Sequence, residues 1–318
     1  DLRMSRGLGD VYKRQIEYSD VWRKENREVH KFLRAIGFSD ITKKDLEMIL
    51  DEVITRPEIM KITKDSEGNE FAELSGSFAA NAGITVRGTY QEDDSFHMDY
   101  YYPYVFGTSI TTNEQIDVEK HAEKESYAGV CDEVNLGVTL IFYIQNVADY
   151  LAETNRHLSK IHYGAMLAGL STEGKILCPV VERKKNDVPA IQKNDRHNQL
   201  IAQAREGDED AIESLTLEDM DTYALLSQRV MKEDIFSIVK STFMPFGIES
   251  DQYTVLGEII DCVTMENKLT HEKLYGMKLL CNNIQFDVCI NEKDLLGEPA
   301  IGRRFRGNVW MQGNLCLE

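Results

Sequence analysis

The chain has 318 residues, of which 42% are hydrophobic and 28% are charged, and its formal net charge is −18 at pH 7. This composition is that of a folded globular protein and excludes an intrinsically disordered chain. A surface with so much negative charge repels phosphate backbones, so the composition also argues against a nucleic-acid partner.

Residues 1–28 form a leader that we set apart from the folded protein. The first fifteen residues, Asp1 to Gln15, look like a translated sequencing adapter, and we expect them to be a non-native scar. Whether residues 16–28 are native stays open. The first regular pattern of apolar residues begins at Val29.

Residues 29–181 are predicted to form an α+β domain, with an N-terminal antiparallel sheet and packing helices. Apolar residues at helical spacing predict a helix from Val29 to Ile36, stopped by Gly37. A second helix is expected to follow, with Thr42 as its N-cap.

The pattern then alternates, which is typical of strands. An antiparallel hairpin is predicted around Ile84 to Tyr104, with one face of the second strand turned to the core. The residues of that face are Phe96, Met98, Tyr100, Tyr102 and Tyr104. Val138 to Ile144 predicts a central strand.

A long packing helix is predicted to close this domain. Its face is marked by the apolar residues Val147, Leu151, Leu158, Ile161 and Ala165. Gly169 to Lys175 resembles the start of a phosphate-binding loop, but Ile176 stands where the motif needs Ser or Thr. We therefore interpret this segment as a turn from helix to strand.

The second half is predicted to begin after a linker or long loop at residues 182–199. Residues 200–318 are expected to form a helical segment followed by a small curved β-sheet or barrel. Its strands are predicted at residues 253–263, 274–281, 284–290 and 308–317.

The segment from His121 to Cys131 offers weak candidates for catalysis. His121 and Glu123 match the start of the zinc deaminase signature, but the downstream pair of cysteines is missing, so we predict no metal site. A nucleophilic pair of His121 and Cys131 is conceivable from the residue types alone. Glu125 is a further candidate acid or base.

Three arginines near the C-terminus are the candidates for ligand binding. Arg303, Arg304 and Arg306 lie within eleven residues that contain three glycines, and guanidinium groups on a loop can hold a phosphate or carboxylate. The simpler interpretation is that they pair with acidic side chains nearby.

The six cysteines and the short apolar runs bear on localisation. No C-x-x-C occurs, which favours free thiols in a reducing compartment. The longest apolar run, Leu140 to Ile144, is far shorter than the roughly 20 residues of a membrane span. We therefore expect a cytoplasmic protein without a membrane partner.

Three segments carry a resemblance to a known family. They are His30 to Phe38, His121 to Glu133, and Gly297 to Gly313. Together they resemble a clostridial family, domain of unknown function 3881, over the chain from about His30 to its end. The resemblance implies a cytoplasmic bacterial protein and transfers no functional residue.

No catalytic motif or cofactor loop stands out, so we predict no cofactor. The sequence favours a non-catalytic cytosolic protein that binds a partner protein or a small ligand. The alternative is an enzyme whose site is assembled from dispersed residues, with the His121 segment or the Arg303 cluster as candidates.

Overall fold

The structure is a computed structural model that describes residues 16–18, 29–121, 125–156, 162–180, 239–247 and 251–317, with a few positions between 200 and 215. Most of the leader, the linker predicted at residues 182–199, and most of the helical segment predicted after it lie outside the described residues.

Two short helices precede the first long strands. A 3-10 helix, η1 (Lys31–Ile36), ends at Gly37, which adopts the left-handed conformation that glycine tolerates best. The α-helix α1 (Lys43–Thr55) begins after Thr42, whose hydroxyl accepts a hydrogen bond from the Asp45 N–H at 3.2 Å. The predicted cap is confirmed, and the first predicted helix is present as one 3-10 segment.

The first sheet has five strands in the residues that the structure describes. They are β1 (Ile16–Tyr18), β2 (Ile59–Lys64), β3 (Glu70–Ala79), β4 (Ala82–Tyr90) and β5 (Phe96–Val105). Their order is β1-β5-β4-β3-β2, and all neighbours are antiparallel except β1 and β5. Helix α1 covers one face of this sheet and buries Leu50 and Val53 there.

A β-bulge in β5 divides the predicted aromatic face. Arg87 of β4 pairs with Tyr100, but the next residue, Gly88, pairs with Met98, so Asp99 is the extra residue. A bulge of one residue reverses the side on which later residues of the strand lie. Phe96 and Met98 therefore face one side of the sheet, whereas the tyrosines at positions 100, 102 and 104 face the other. The prediction that all five side chains share one face of the strand is wrong.

Within the described part of the chain, the second sheet contains ten strands. They are β6 (Thr112–His121), β7 (Ser126–Glu133), β8 (Val138–Ile144), β9 (His162–Leu177), β10 (Thr242–Pro245), β11 (Gln252–Glu266), β12 (Lys273–Cys281), β13 (Ile284–Asn291), β14 (Leu295–Leu296) and β15 (Arg304–Leu315). Helix α2 (Val147–Asn155) follows β8, and a 3-10 turn, η2 (Glu292–Asp294), follows β13.

This sheet closes into two rings that share β9 and β15. One ring runs β11-β12-β13-β9-β15 and returns to β11, and the other runs β9-β15-β8-β7-β6 and returns to β9. Their shared strands pair from Arg304 with Leu177 to Leu315 with Ala165. Closure removes free strand edges, and apolar side chains such as Phe142, Phe286 and Phe305 fill the core.

The predicted α+β fold is wrong, because strands dominate the described chain and its helices are short. The predicted long helix ends at Asn155, and Ala165 lies in β9. Gly169 to Lys175 is continuous strand within β9 and not a turn. β9 is buried on both faces around Ala165, Leu167, Ala168 and Leu170, and a run of this kind does not distinguish a helix from a strand.

The strands predicted near the C-terminus are present in β11, β12, β13 and β15, but they do not form a small sheet of their own. β9, which comes from the first half of the chain, lies between β13 and β15. Among the residues that the structure describes, no helix has the length and apolar character needed to cross a membrane.

Candidate functional site

A buried arginine joins the two sheets. Arg87 of β4 is fully buried, and its Nε and Nη2 donate to Oε1 of Glu73 on β3 at 2.9 and 2.7 Å. Its Nη1 donates to the hydroxyls of Tyr100 and Tyr143 at 2.9 and 2.8 Å. Because Tyr143 lies on β8, the guanidinium holds the five-stranded sheet against the ring-forming sheet.

Backbone carbonyls complete the surroundings of this guanidinium. Nη2 of Arg87 also donates to the carbonyl oxygens of Ile144 and Gln145 at 3.0 and 2.8 Å. A buried charge is tolerable only when its hydrogen bonds are satisfied, and here the carboxylate, hydroxyls and carbonyls all serve as acceptors. Burial raises the pKa of Tyr102 and Tyr143, against the opposing effect of the Arg87 charge, so both hydroxyls stay protonated.

Glu73 also ties down the start of helix α2. Its second oxygen, Oε2, accepts the Ala148 N–H at 2.6 Å, and Glu73 is 4% exposed. A carboxylate at a helix N-terminus compensates the partial positive charge of the unpaired N–H groups. The Arg87–Glu73 pair therefore fixes both the first sheet and the helix that follows β8.

A cavity of about 330 Å³ lies beside this pair, between the five-stranded sheet and the end of the second ring. Its polar lining comes from Lys61, Glu73, Ser75, Thr85, Tyr102, Gln145, Asn146, Asp149 and Asn314. Its apolar lining comes from Ile59, Phe106, Met166 and Leu315. Such a mixture of apolar walls and a few placed polar groups is typical of sites for small molecules.

Gln145, one of the residues that line this cavity, has a buried side-chain oxygen without a hydrogen-bond partner among the described residues. The residue is 5% exposed, and its Nε2 donates to the Val105 carbonyl at 2.9 Å and to Oε1 of Gln312 at 2.8 Å. The backbone carbonyl can only accept, which fixes the orientation of the amide. Oε1 of Gln145 is then left without a hydrogen-bond partner among the described residues.

An ion pair stands at the rim of the cavity. Nζ of Lys61 on β2 lies 2.6 Å from Oδ2 of Asp149 on α2, and the two side chains are 42% and 41% exposed. Deeper in, the hydroxyls of Ser75 and Thr85 bond to each other at 2.8 Å. The charged groups at the cavity are thus a rim pair open to solvent and a buried Glu73 that is compensated by Arg87.

The structure shows the surroundings of Glu125 in detail. Its Oε1 accepts from Oγ of Ser66 at 2.5 Å and from Nζ of Lys120 at 2.8 Å, and Oε2 accepts from the Tyr127 hydroxyl. Burial acts to raise the pKa of this carboxyl, but the hydrogen bonds from Lys120, Ser66 and Tyr127 outweigh it and lower the pKa. The carboxylate is held by a set of donors that join β6, β7 and the turn after β2.

The other three candidates between His121 and Cys131 do not join Glu125 in a common site among the described residues. His121 is the last residue of β6, where its backbone pairs with Ser126, and Glu123 lies outside the described residues. Cys131 of β7 is 3% exposed within the apolar core. Burial raises the pKa of its thiol to about 12, so the neutral thiol is the stable form at neutral pH.

The three arginines of the C-terminal cluster have three different environments. Nη1 of Arg303 donates to the Glu298 carbonyl at 2.6 Å. Arg304 is 5% exposed, and it donates to the carbonyls of Cys178 at 2.9 Å and Val239 at 2.6 Å. Arg306 is exposed and lines a shallow pocket of about 260 Å³ with Lys175, and it does not share the surroundings of Arg304.

Sequence reasoning missed the residues around the cavity. Arg87 was not singled out, although Glu73 and Tyr100 lie opposite it on the two neighbouring strands. One signal in the sequence could have indicated this site. Arg87 is a charged residue in a strand of small and β-branched residues, and that strand precedes one rich in tyrosine. Gln145, directly after the apolar run of β8, gave no signal that alternation could detect.

The fold and the cavity define a mainly β protein, in which a five-stranded sheet packs against a second sheet closed into two rings. The chain belongs to the family described as "Domain of unknown function, E. rectale Gene description (DUF3881)", whose profile matches residues 33–313. This confirms the resemblance seen in the three sequence segments. Comparisons with curated proteins and with solved structures gave no significant match.

Proposed function

We propose that this protein is a non-catalytic binding protein that holds a small molecule in the cavity between its two sheets. The observation that carries the proposal is the cavity itself, whose lining combines apolar walls with the polar side chains of Ser75, Thr85 and Asn314. In a site of this composition the apolar walls bury the ligand, and the few polar groups fix its orientation.

The size and lining of the cavity support a small metabolite as the ligand. Its volume of about 330 Å³ is near the lower end of the range for ligand sites. Phe106, Met166 and Leu315 offer apolar contact, while the rim offers charge. The buried Arg87–Glu73 pair, whose Glu73 lines the cavity, would keep the site formed in the absence of ligand, which lowers the entropic cost of binding.

The environments of the candidate catalytic groups favour binding over catalysis. Glu125 is held as a carboxylate by several donors, and the Cys131 thiol is kept neutral by burial. A general acid or base needs a pKa near the working pH, and a nucleophilic cysteine needs a lowered pKa. The pKa of Glu125 is lowered, which moves it away from neutral pH, and the pKa of Cys131 is raised, so neither group meets its requirement.

We also place the protein in the cytoplasm. All six cysteines are free, including the exposed Cys178, as expected for a chain kept in a reducing compartment.

The test is native mass spectrometry of the purified chain, compared with its denatured mass, followed by thermal-shift measurements. The shift would be measured with a defined set of free amino acids, nucleosides, monosaccharides and short carboxylic acids. We expect a bound mass that is lost on denaturation, or a rise in Tm with at least one class, since ligands that bind only the native state raise stability.

Cavity variants locate the site. Met166→Trp fills the cavity from β9, and Ile59→Trp fills it from the more tolerant rim, where Ile59 is 43% exposed. Val263→Trp is the matched control, because Val263 is 52% exposed and does not line the cavity. Loss of binding in both cavity variants, with retention in the control, supports the proposal. Absence of bound mass and of any thermal shift in the wild type overturns it, as does binding that survives both cavity variants.

A further inference from the structure

The charges around the cavity restrict the kind of molecule that it can hold. Glu73 is compensated by Arg87, so among the described residues that line the cavity the charges left to meet a ligand are Lys61 and Asp149 at the rim. These two have opposite signs. The rim is therefore electrically balanced, and a ligand with a single charge would be attracted by one member of the pair and repelled by the other.

The geometry of the rim pair suits a ligand that carries both signs itself. Nζ of Lys61 and Oδ2 of Asp149 are 2.6 Å apart, bridging the edge strand β2 and the first turn of α2. A carboxylate beside Lys61 and an ammonium beside Asp149 would form an alternating square of four charges. In that arrangement the ligand adds two charge-assisted interactions without having to break the existing pair.

The exposure of the pair makes it available for this role. Both side chains are about two-fifths exposed, and ion pairs of that kind contribute only about 0–1 kcal/mol to stability. They are therefore not needed to hold β2 against α2. The deeper pair, Arg87 and Glu73, already provides a link between the sheets.

The field of the whole protein disfavours an anionic ligand. With a formal net charge of −18, the chain repels free anions and attracts cations without selectivity. A zwitterion has no net charge, so its capture depends on the local arrangement of Lys61 and Asp149. The apolar wall formed by Phe106, Met166 and Leu315 can receive an uncharged side chain.

On these grounds, and resting on the proposed function, we propose that the ligand is a zwitterionic amino acid. Its α-carboxylate meets Lys61 and its α-ammonium meets Asp149, while its side chain enters the cavity.

The test is isothermal titration calorimetry of the full chain with the free L-amino acids. Each binder is then compared with its N-acetyl form, which lacks the ammonium, and its primary amide, which lacks the carboxylate. We expect the free amino acid to bind, and each blocked form to bind at least about tenfold more weakly, because each loses one of two charge-assisted contacts.

Variants of the rim pair give the matched comparison. Lys61→Met and Asp149→Asn are each expected to weaken binding of the free amino acid by about tenfold or more. Lys273→Met is the control, because Lys273 forms an ion pair with Glu292 of the same 2.6 Å length and similar exposure, and neither residue lines the cavity. This variant is expected to bind like the wild type.

The outcomes separate this inference from the proposed function. If free and blocked forms bind equally, or if no amino acid binds while another class shifts Tm, the zwitterion inference is overturned and the small-molecule site stands. If an amino acid binds but the Met166→Trp and Ile59→Trp variants still bind it, both proposals are overturned.

Discussion

Arg87 and Glu73 form an ion pair with Nη2 2.7 Å from Oε1, and their side chains are 0% and 5% exposed. Breaking a buried pair by removing one partner leaves an uncompensated charge in the core. The same two side chains form further hydrogen bonds. Arg87 donates to the hydroxyls of Tyr100 and Tyr143, and Glu73 accepts from the Ala148 N–H. This pair is therefore the point at which the two sheets and helix α2 are joined.

Replacement of one member of this pair is expected to be strongly destabilising. Glu73→Gln removes the negative charge but keeps the size of the side chain, and we expect a loss of about 3–5 kcal/mol in the free energy of unfolding. The measurement is urea denaturation followed by tyrosine and tryptophan fluorescence. The double variant Glu73→Leu/Arg87→Met is expected to recover part of that loss, because no unpaired charge remains. A loss below about 1 kcal/mol for Glu73→Gln would contradict the role assigned to the pair.

Gly129 is expected to tolerate no larger residue while Phe142 is present. A Cβ at Gly129 of β7 would lie 2.3 Å from the ring of Phe142 on β8, which is fully buried. Gly129→Ala should destabilise the protein by about 1–3 kcal/mol through overpacking. The double variant Gly129→Ala/Phe142→Leu provides space for the new methyl group. In thermal unfolding, its loss of stability should be smaller than the sum of the losses of its two single variants.

The sequence was informative where a strand is regular and paired with its neighbour in the chain. The strands β11, β12 and β13 follow one another as hairpins, and alternation located them to within a few residues. The cap at Thr42 was equally accessible, because it depends on residues one turn apart. Local chemistry of this kind is visible without knowledge of the tertiary structure.

The features that the sequence did not predict depend on contacts between residues that are distant in the chain. The bulge at Asp99 inserts one residue and reverses the orientation of the later tyrosines, so strict alternation assigned Tyr100 and Phe96 to the same face. β9 joins strands from both halves of the chain, and its apolar run fits a buried helix as well as a buried strand. The cavity exists only once these two sheets have packed, so no local pattern could predict it.

Stability is expected to fall in mild acid because of His30. Its ring lies against Trp310, with centroids 5.2 Å apart, and its Nδ1 accepts the Phe32 N–H at 3.4 Å. Burial, assisted by the nearby Lys31 charge, lowers the pKa of His30 to about 4 from its ordinary value of 6.5. The folded state thus prefers the neutral ring. The contribution of His30 to stability is complete above pH 6.5 and is lost as the pH falls from 6.5 towards 4.

The measurement is the free energy of unfolding at several pH values between 7 and 4. A shift of this size corresponds to at most about 3 kcal/mol over the whole window. His30→Asn keeps a side-chain acceptor for the Phe32 N–H but does not titrate, so it serves as the matched control. The wild type should lose more stability than this variant between pH 6.5 and 4.5. Parallel pH profiles would show that His30 is not the group responsible.

The reactivity of the cysteines tests the alternative of a nucleophilic thiol. Burial raises the pKa of Cys131, Cys281 and Cys289 to about 12, whereas Cys178 is exposed. Because the thiolate is the reactive form, we expect iodoacetamide at pH 8 to modify Cys178 promptly. The three buried thiols should react only on the timescale of unfolding.

Peptide mapping by mass spectrometry after timed alkylation distinguishes the two cases. In urea all four thiols should react at similar rates, which controls for differences in peptide recovery. If Cys131 in the native protein reacts as fast as Cys178 or faster, its thiol is activated, and a catalytic role together with His121 gains support over simple binding. Slow modification of Cys131, matched to that of Cys289, identifies it as a core residue and favours the binding function.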